Sequence, residues 1–198
     1  MQSDGSIKKH LSGLVLFIVF LAVVSVWFSS YLCQRQAAGM LTATVTESDA
    51  FRKMRLSEHT LTELKALASA GSMTMGEILA TLYPFCPDGF LSLPSWVHTG
   101  GLSAWRGSLL KNNRTGYLLV RNAYAAIWDD VKCFPVAGDA ITYENSWMFE
   151  RTYGGKRGHE GTDLMPPDNL SGVYPVLSMT DGIVENIGWL EQGGYRIG

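Results

Sequence analysis

The 198-residue sequence lacks an excess of basic side chains. It contains 16 lysines and arginines against 18 aspartates and glutamates, with a formal net charge of −2 and an isoelectric point near 6.1. Proteins that bind the phosphate backbone of nucleic acids carry a basic patch or stripe. The charge balance therefore gives no electrostatic reason to expect a nucleic-acid partner.

Cysteine is scarce as well. The three cysteines are Cys33, Cys86 and Cys133, and no C-x-x-C spacing of the kind found in structural zinc sites occurs. We therefore assign these thiols no metal role. Cys86 and Cys133 could pair in an oxidising compartment, and two free buried thiols are an equally open alternative.

One long segment lacks charge altogether: residues 11–28 read LSGLVLFIVFLAVVSVWF. A helix that crosses the hydrocarbon layer needs ~17–25 apolar residues, whereas the apolar core of a cleaved secretory signal has only ~7–15. Lys8 and Lys9 precede the run and a single Arg35 follows it, which places the N-terminus in the cytoplasm. We predict a retained signal-anchor at residues 11–32 that spans the membrane once, with a cleaved signal as the alternative.

The next hundred residues have helical patterning. From Gln36 to about Ala70, apolar residues recur at steps of three and four, which predicts an amphipathic helix; they are Leu56, Leu61, Leu64, Leu67 and Ala68. The simplest role of such a face is packing against neighbouring helices. A protein partner that binds within residues 36–132 is the alternative.

Two further helices follow. Thr74 with Glu77 has the spacing of a capping box, which predicts a short helix from Met75 to Leu82. Glycine and proline interrupt residues 84–116 too often for a clear pattern. A broad apolar face then predicts a helix over residues 115–132.

The residue pattern changes from helix-like to strand-like after residue 133. Residues 147–149 favour a strand, and residues 173–178 and 183–187 predict two strands joined through Asp181-Gly182, a strong tight-turn signal. The predicted fold class is α+β. Its segments are a cytoplasmic tail at 1–10, the signal-anchor at 11–32, a helical extracytoplasmic region at 33–133 and an antiparallel β domain at 134–198.

Within the β region lies His159-Glu160-Gly161-Thr162-Asp163. A histidine and an aspartate four residues apart share one side of either a strand or a helix, and imidazole with carboxylate suits zinc. Gly161 leaves space where a metal or a neighbouring backbone would approach. The spacing alone therefore makes His159 and Asp163 candidate metal ligands, with a chance match on the protein surface as the open alternative.

The surrounding order of residues resembles the lysostaphin-like zinc metallopeptidases, peptidase family M23, which cut peptides of the bacterial cell wall. The matching features are Trp147, Arg151, the H-x-G-x-D motif itself and, downstream, residues 174–185. The resemblance covers roughly residues 134–198. It implies an M23-type β domain, Zn²⁺ as cofactor with His159 and Asp163 as ligands, and a peptidoglycan peptide as substrate at a bacterial cell membrane.

The sequence departs from the family at one point. The family takes its third zinc ligand from a later H-x-H, and a catalytic histidine from there or from an adjacent strand. Here the four histidines are His10, His59, His98 and His159. We therefore expect the catalytic histidines to lie beyond residue 198, in a C-terminally truncated domain that is inactive as it stands.

Two functions remain open at this stage. The first is a membrane-anchored zinc endopeptidase of the cell wall. The second is a non-catalytic scaffold or regulator of the same fold that binds peptidoglycan or a partner protein.

Among the side chains near the motif, Glu160 is a weak candidate for a general base, because its side chain should face away from its neighbours in an extended segment. Arg151 and Arg157 lie near enough in sequence to line the cleft or contact the ligands. Surface solvation is the simpler interpretation for Arg157, and for Arg151 the two interpretations are equally open.

Overall fold

The computed structural model describes residues 3–52, 54–71, 73–144, 146–152, 155–191 and 194–198. The described part is helix-rich, with one long N-terminal apolar helix and several two-stranded sheets. The helices are α1 (Ser3–Gly39), α2 (Asp49–Arg52), α3 (Glu58–Ala70), α4 (Met75–Leu82), α5 (Gly101–Asn112) and α6 (Arg114–Trp128). The strands are β1 (Arg55–Leu56), β2 (Gly89–Phe90), β3 (Thr142–Tyr143), β4 (Glu150–Arg151), β5 (Arg157–Gly158), β6 (Leu164–Met165), β7 (Ile187–Leu190) and β8 (Gly194–Ile197).

Helix α1 contains the predicted membrane segment. Its stretch Gly13–Gly39 contains an 18-residue window with a mean hydropathy of 2.4 and is long and apolar enough to cross a membrane, although a signal sequence would satisfy the same criterion. Its large side chains are exposed, with Leu16 at 70% and Val26 at 71%. The first two residues of the predicted cytoplasmic tail lie outside the described part of the chain.

The C-terminal end of α1 belongs to the helical core. Ala37, Ala38 and Leu41 are buried, and the Ser108 hydroxyl of α5 donates to the Gln34 side chain at 2.8 Å. The apolar helix therefore runs into the packed helices without a break at its junction.

Helices α4 and α6 form the centre of that core. Fully buried side chains from both helices meet there: Ile78, Leu79, Leu82, Tyr117, Val120 and Tyr124. The capping box at the start of α4 is present, because the Thr74 hydroxyl accepts from the Glu77 backbone and the Glu77 carboxylate accepts from the Thr74 backbone. The prediction of α4 from Met75 to Leu82 is confirmed.

Other helix predictions need correction. The predicted helix from Gln36 to about Ala70 is broken: α1 ends at Gly39, and a 3-10 turn, α2 and β1 precede α3. The side chain of Ser57 accepts from the Thr60 backbone and so starts α3 as a separate helix. Helix α6 ends at Trp128, four residues before the predicted end, because the Asp129 side chain turns back to cap α4.

The strands pair in four small sheets. The β1–β2 pair is parallel, and the β3–β6, β4–β5 and β7–β8 pairs are antiparallel. The predicted strands at 173–178 and 183–187 are wrong except at single residues: Val176 makes one isolated bridge to Val136, and strand structure resumes only at Ile187. In place of the predicted strand at 147–149, residues 147–148 form a turn, and β4 begins at Glu150.

The predicted M23-type domain and the boundary near residue 133 stay predictions. All three cysteines are free thiols in this structure, so the Cys86–Cys133 pairing left open by the sequence is not formed.

Candidate functional site

The His159 motif begins at the end of the β4–β5 hairpin. In this antiparallel pair Arg151 lies opposite Arg157. Side chains at i and i+2 of a strand share a face, so His159 projects on the same side as Arg157 and Arg151. A diagonal neighbour of this kind lies within reach of a long side chain. The register therefore brings the Arg151 guanidinium to the His159 ring.

A β-bulge continues the pairing past the two strands. The Met148 backbone N–H donates to the His159 carbonyl at 2.7 Å, and the His159 N–H donates to the Phe149 carbonyl at 2.9 Å. Met148 and Phe149 on one strand thus lie opposite the single residue His159 on the other. Met148 takes a left-handed conformation with φ of 61°. Bulges redirect side chains and are frequent beside active sites. This one brings the start of the motif against the turn that contains Ser146.

The ring of His159 is well enclosed, with its side chain 16% exposed. Its Nδ1 atom lies 3.1 Å from the hydroxyl of Ser146, a residue that is itself only 8% exposed. The same Nδ1 lies 3.0 Å from Nη2 of Arg151. Two side chains therefore fix the orientation of the imidazole from its Nδ1 side.

Asp163 faces the opposite nitrogen of the ring. Its Oδ1 lies 3.6 Å from His159 Nε2, and its Oδ2 accepts from Arg151 Nη2 at 3.0 Å. The chain reaches this position through a bend at Gly161, so the motif is neither strand nor helix between β5 and β6. A Cβ on Gly161 would lie 3.5 Å from His159 Nε2. The glycine thus leaves open the space beside the nitrogen that faces Asp163.

The separation of the two side chains suits a shared zinc ion. Zinc–nitrogen and zinc–oxygen bonds are ~2.0–2.2 Å long and usually tetrahedral, which places two ligand atoms ~3.3 Å apart. His159 Nε2 and Asp163 Oδ1 are within a few tenths of an ångström of that spacing. Within the described residues, no group of three histidine, cysteine, aspartate or glutamate side chains converges on one point. The pair fits zinc as two ligands of an incomplete shell.

The other histidines with described side chains lie on a different surface. His59 Nε2 lies 3.6 Å and His98 Nε2 3.9 Å from the Glu63 carboxylate, on and beside α3. Glu160, the weak candidate for a general base, is bound by Arg52 of α2 at 3.1 Å. Neither observation adds a third ligand or a base to the His159–Asp163 pair.

An apolar cavity of about 600 Å³ adjoins the motif. Thr162 and Leu164, which flank Asp163 in the chain, form part of its wall. The remaining lining residues are Phe134, Pro135, Tyr143 and Met179. A peptide that approached Asp163 would find an apolar surface beside it.

Sequence reasoning identified the His159–Asp163 pair but treated its surroundings incompletely. For Arg151, surface solvation and a place at the site were equally open, and the structure places its guanidinium between the two predicted ligands. Ser146 was missed. A serine in a turn gives no sequence signal of its own, and only the bulge at Met148 brings its hydroxyl to the ring.

Comparison with known proteins gives one partial match. An L-Ala--D-Glu endopeptidase of Bacillus subtilis (strain 168) is 44% identical to this chain over 64 residues. The matched segment covers 32% of this chain and 18% of the relative, so the chain corresponds to less than a fifth of the relative's length. No family model matches the chain. No solved structure shows a significant match to it either.

Proposed function

We propose that this chain carries part of the site of a zinc endopeptidase of the M23 kind that acts on bacterial cell-wall peptides. The observation that carries the proposal is the convergence of His159 Nε2 and Asp163 Oδ1 to 3.6 Å. The partial similarity to an L-Ala--D-Glu endopeptidase supports a peptidase rather than a chance motif.

His159 and Asp163 would hold the metal as two of its protein ligands. A bound zinc ion supplies a water of lowered pKa and polarises the scissile carbonyl. The buried Ser146 hydroxyl holds the His159 ring by its other nitrogen, which is the arrangement that fixes a ligand histidine. Because the described residues supply only two suitable donors, the zinc shell needs at least one further ligand that these residues do not provide.

The apolar helix supports a location at the membrane. We propose that α1 spans the membrane once and that residues 36–198 lie on the outer side, where a cell-wall substrate is found. The buried junction at Ala37 and Ala38 would hold the helical region directly at the outer surface of the membrane. A protease-protection assay on spheroplasts tests this orientation: residues after Gly39 should be cleaved from outside.

The proposal is tested first at the level of the gene. Reading the coding DNA beyond codon 198 should reveal an in-frame H-x-H, or one after a single corrected frameshift. The complete product should then release peptides from purified peptidoglycan, and mass spectrometry should identify the new termini. The relative's name makes the bond between L-alanine and D-glutamate the first one to examine. His159→Ala and Asp163→Ala should each abolish release.

The 198-residue chain itself should behave differently. With two protein ligands, we expect only weak zinc binding and no hydrolysis. Micromolar zinc affinity together with measurable cleavage by this chain would contradict the need for a further ligand.

A second candidate is a non-catalytic scaffold that binds peptidoglycan or a partner protein. The incomplete set of donors in the described residues favours it. A genuine stop after codon 198, with sacculus binding that is indifferent to His159→Ala, would establish this function in place of the peptidase.

A further inference from the structure

The position of Arg151 has a consequence for the metal site, and the inference below rests on the function proposed above. One atom, Arg151 Nη2, lies 3.0 Å from His159 Nδ1 and 3.0 Å from Asp163 Oδ2. The guanidinium therefore contacts both predicted ligands at once. It places a positive charge within hydrogen-bond distance of the pair that zinc would use.

The hydrogen-bond chemistry of arginine determines the tautomer of His159. A guanidinium donates through all its N–H groups and has no acceptor. The contact with Arg151 therefore requires that His159 Nδ1 accepts. In a neutral imidazole the proton then resides on Nε2. That is the nitrogen that faces Asp163 Oδ1.

Zinc requires the opposite arrangement. A metal bound at Nε2 needs that nitrogen without its proton, so Nδ1 carries the proton and donates. An Nδ1–H group and a guanidinium N–H group are both donors, so they cannot form a hydrogen bond with each other. A metal bound at Nδ1 instead would need the place that Arg151 Nη2 occupies. Either mode of binding excludes the present contact between Arg151 and His159.

Ser146 supplies the partner for the zinc-binding tautomer. Its hydroxyl lies 3.1 Å from His159 Nδ1 and can accept a proton from it. The residue is 8% exposed, so it stays at the ring when Arg151 moves away. Arg151, by contrast, has a side chain that is 41% exposed and has room to swing into solvent. The site thus has one mobile cation and one fixed acceptor.

We propose that Arg151 is an internal cation that competes with zinc for His159 and Asp163, and that zinc binding transfers the Nδ1 hydrogen bond of His159 from Arg151 to Ser146. Arg151 is then a positioning residue that acts through the two ligands. It keeps them close together and charge-compensated until the metal displaces it.

The experiment uses the full 198-residue chain in detergent micelles with ¹⁵N-labelled histidine. The ring nitrogens of His159 report its tautomer, and addition of Zn²⁺ alone, up to millimolar concentration, reports binding at that residue. Arg151→Met removes the charge and the donors but keeps much of the length. Arg157→Met removes the same charge from the facing strand and is the matched control. His159→Ala assigns the signals.

The expected result has three parts. Wild-type His159 shows the Nε2–H tautomer, and Arg151→Met shifts it toward Nδ1–H. Arg151→Met raises the zinc affinity at His159 by about three- to fivefold, the upper part of the range for the loss of one exposed ion pair, whereas Arg157→Met changes it by no more than about twofold. Ser146→Ala lowers the affinity by roughly threefold to tenfold, through loss of the hydrogen bond that fixes the ligand.

The results that would contradict competition by Arg151 differ from those that would contradict the zinc site itself. If zinc shifts the His159 signals equally in the wild type and Arg151→Met, or more weakly in Arg151→Met, competition by Arg151 is wrong and the zinc site stands. If zinc shifts His159 in none of the variants, the zinc site proposed for this chain is wrong and the competition is wrong with it.

Discussion

Gly76 of α4 lies directly against the backbone of Ala125 in α6. A Cβ at position 76 would be 2.7 Å from the Ala125 nitrogen and 2.8 Å from its Cα. The neighbouring Gly76 N–H donates to the Asp129 carboxylate at 2.8 Å, which ties the start of α4 to the end of α6. The close contact between the two core helices at this point therefore depends on the absence of a side chain at position 76.

The first prediction concerns this contact. Gly76→Ala should destabilise the protein by about 1–3 kcal/mol, because backbone atoms of α6 would have to move. Gly107→Ala is the control: a Cβ there meets nothing within 4 Å, and the better helix former should stabilise α5 by about 0.5–1 kcal/mol. Thermal unfolding followed by far-UV circular dichroism in detergent measures both. Equal effects of the two substitutions would show that the helix approach is not tight.

The features that were predictable from the sequence are those with local causes. Helix α4 has its predicted limits because Thr74 and Glu77 form the cap within one turn. Helix α5 has no comparable signal, since Gly101 and Gly107 interrupt a pattern in which only Leu102 and Leu109 are buried.

Features that depend on distant partners were not predictable. Alternating residues indicate which side of a strand is buried, not the strand with which it pairs, and so the hairpin predicted through Asp181 gave way to the β7–β8 pair. The spacing of His159 and Asp163 was enough to predict that they share one side. The position of Arg151 beside them was not predictable, because it follows from a strand register and a bulge that no local pattern encodes.

A second prediction concerns Asn113, which joins α1 to α6. Its Oδ1 accepts from the Gly116 backbone at 3.0 Å, and its Nδ2 donates to the carbonyls of Ala38 and Leu41, each at 2.8 Å. Asn113→Ala should cost about 2–3 kcal/mol, from the lost cap and the two unsatisfied carbonyls.

The substitution Asn113→Asp separates these contributions. The carboxylate keeps the cap but donates nothing to the two carbonyls, so we expect a cost of at least about 1 kcal/mol in the same unfolding assay. Wild-type stability in Asn113→Asp would show that only the cap matters and that the α1 junction is held by packing alone.

A third prediction follows from the buried phenol of Tyr124. Burial raises the pKa of Tyr124 above its ordinary value, and the nearby Tyr83 raises it further. Above pH ~10 the unfolded chain loses this proton while the folded chain keeps it, so the free energy of unfolding falls by up to ~1.4 kcal/mol per pH unit. Below pH ~10 the group has no such effect.

Tyr124→Phe should remove that part of the alkaline loss. Its cost at pH 7 should be below about 1 kcal/mol, since among the described residues the hydroxyl donates only to the Met54 sulfur, at 3.4 Å. The measurement is the unfolding midpoint between pH 8 and pH 12. Tyr195→Phe is the control, because Tyr195 is 86% exposed and its substitution should leave the pH profile unchanged. Parallel pH profiles for the wild type and Tyr124→Phe would contradict the prediction.

The last prediction concerns access to the proposed zinc site through Gly161. A methyl group at this position would lie 3.5 Å from His159 Nε2, which is an ordinary contact, so Gly161→Ala should fold with a stability within about 0.5 kcal/mol of the wild type. A zinc ion bound at Nε2 would sit only ~2 Å from that nitrogen. The methyl group would then crowd the ion and its water, and the zinc affinity at His159 should fall by roughly tenfold.

The comparison variant for this test is Gly182→Ala, where a Cβ meets nothing within 4 Å. Zinc-induced shifts of the His159 ring signals measure the affinity in the wild type and both variants. If Gly161→Ala bound zinc as well as Gly182→Ala, the ion would have to approach from the side of Nδ1. That result would place the ion at the position of Arg151 Nη2, which now lies 3.0 Å from His159 Nδ1.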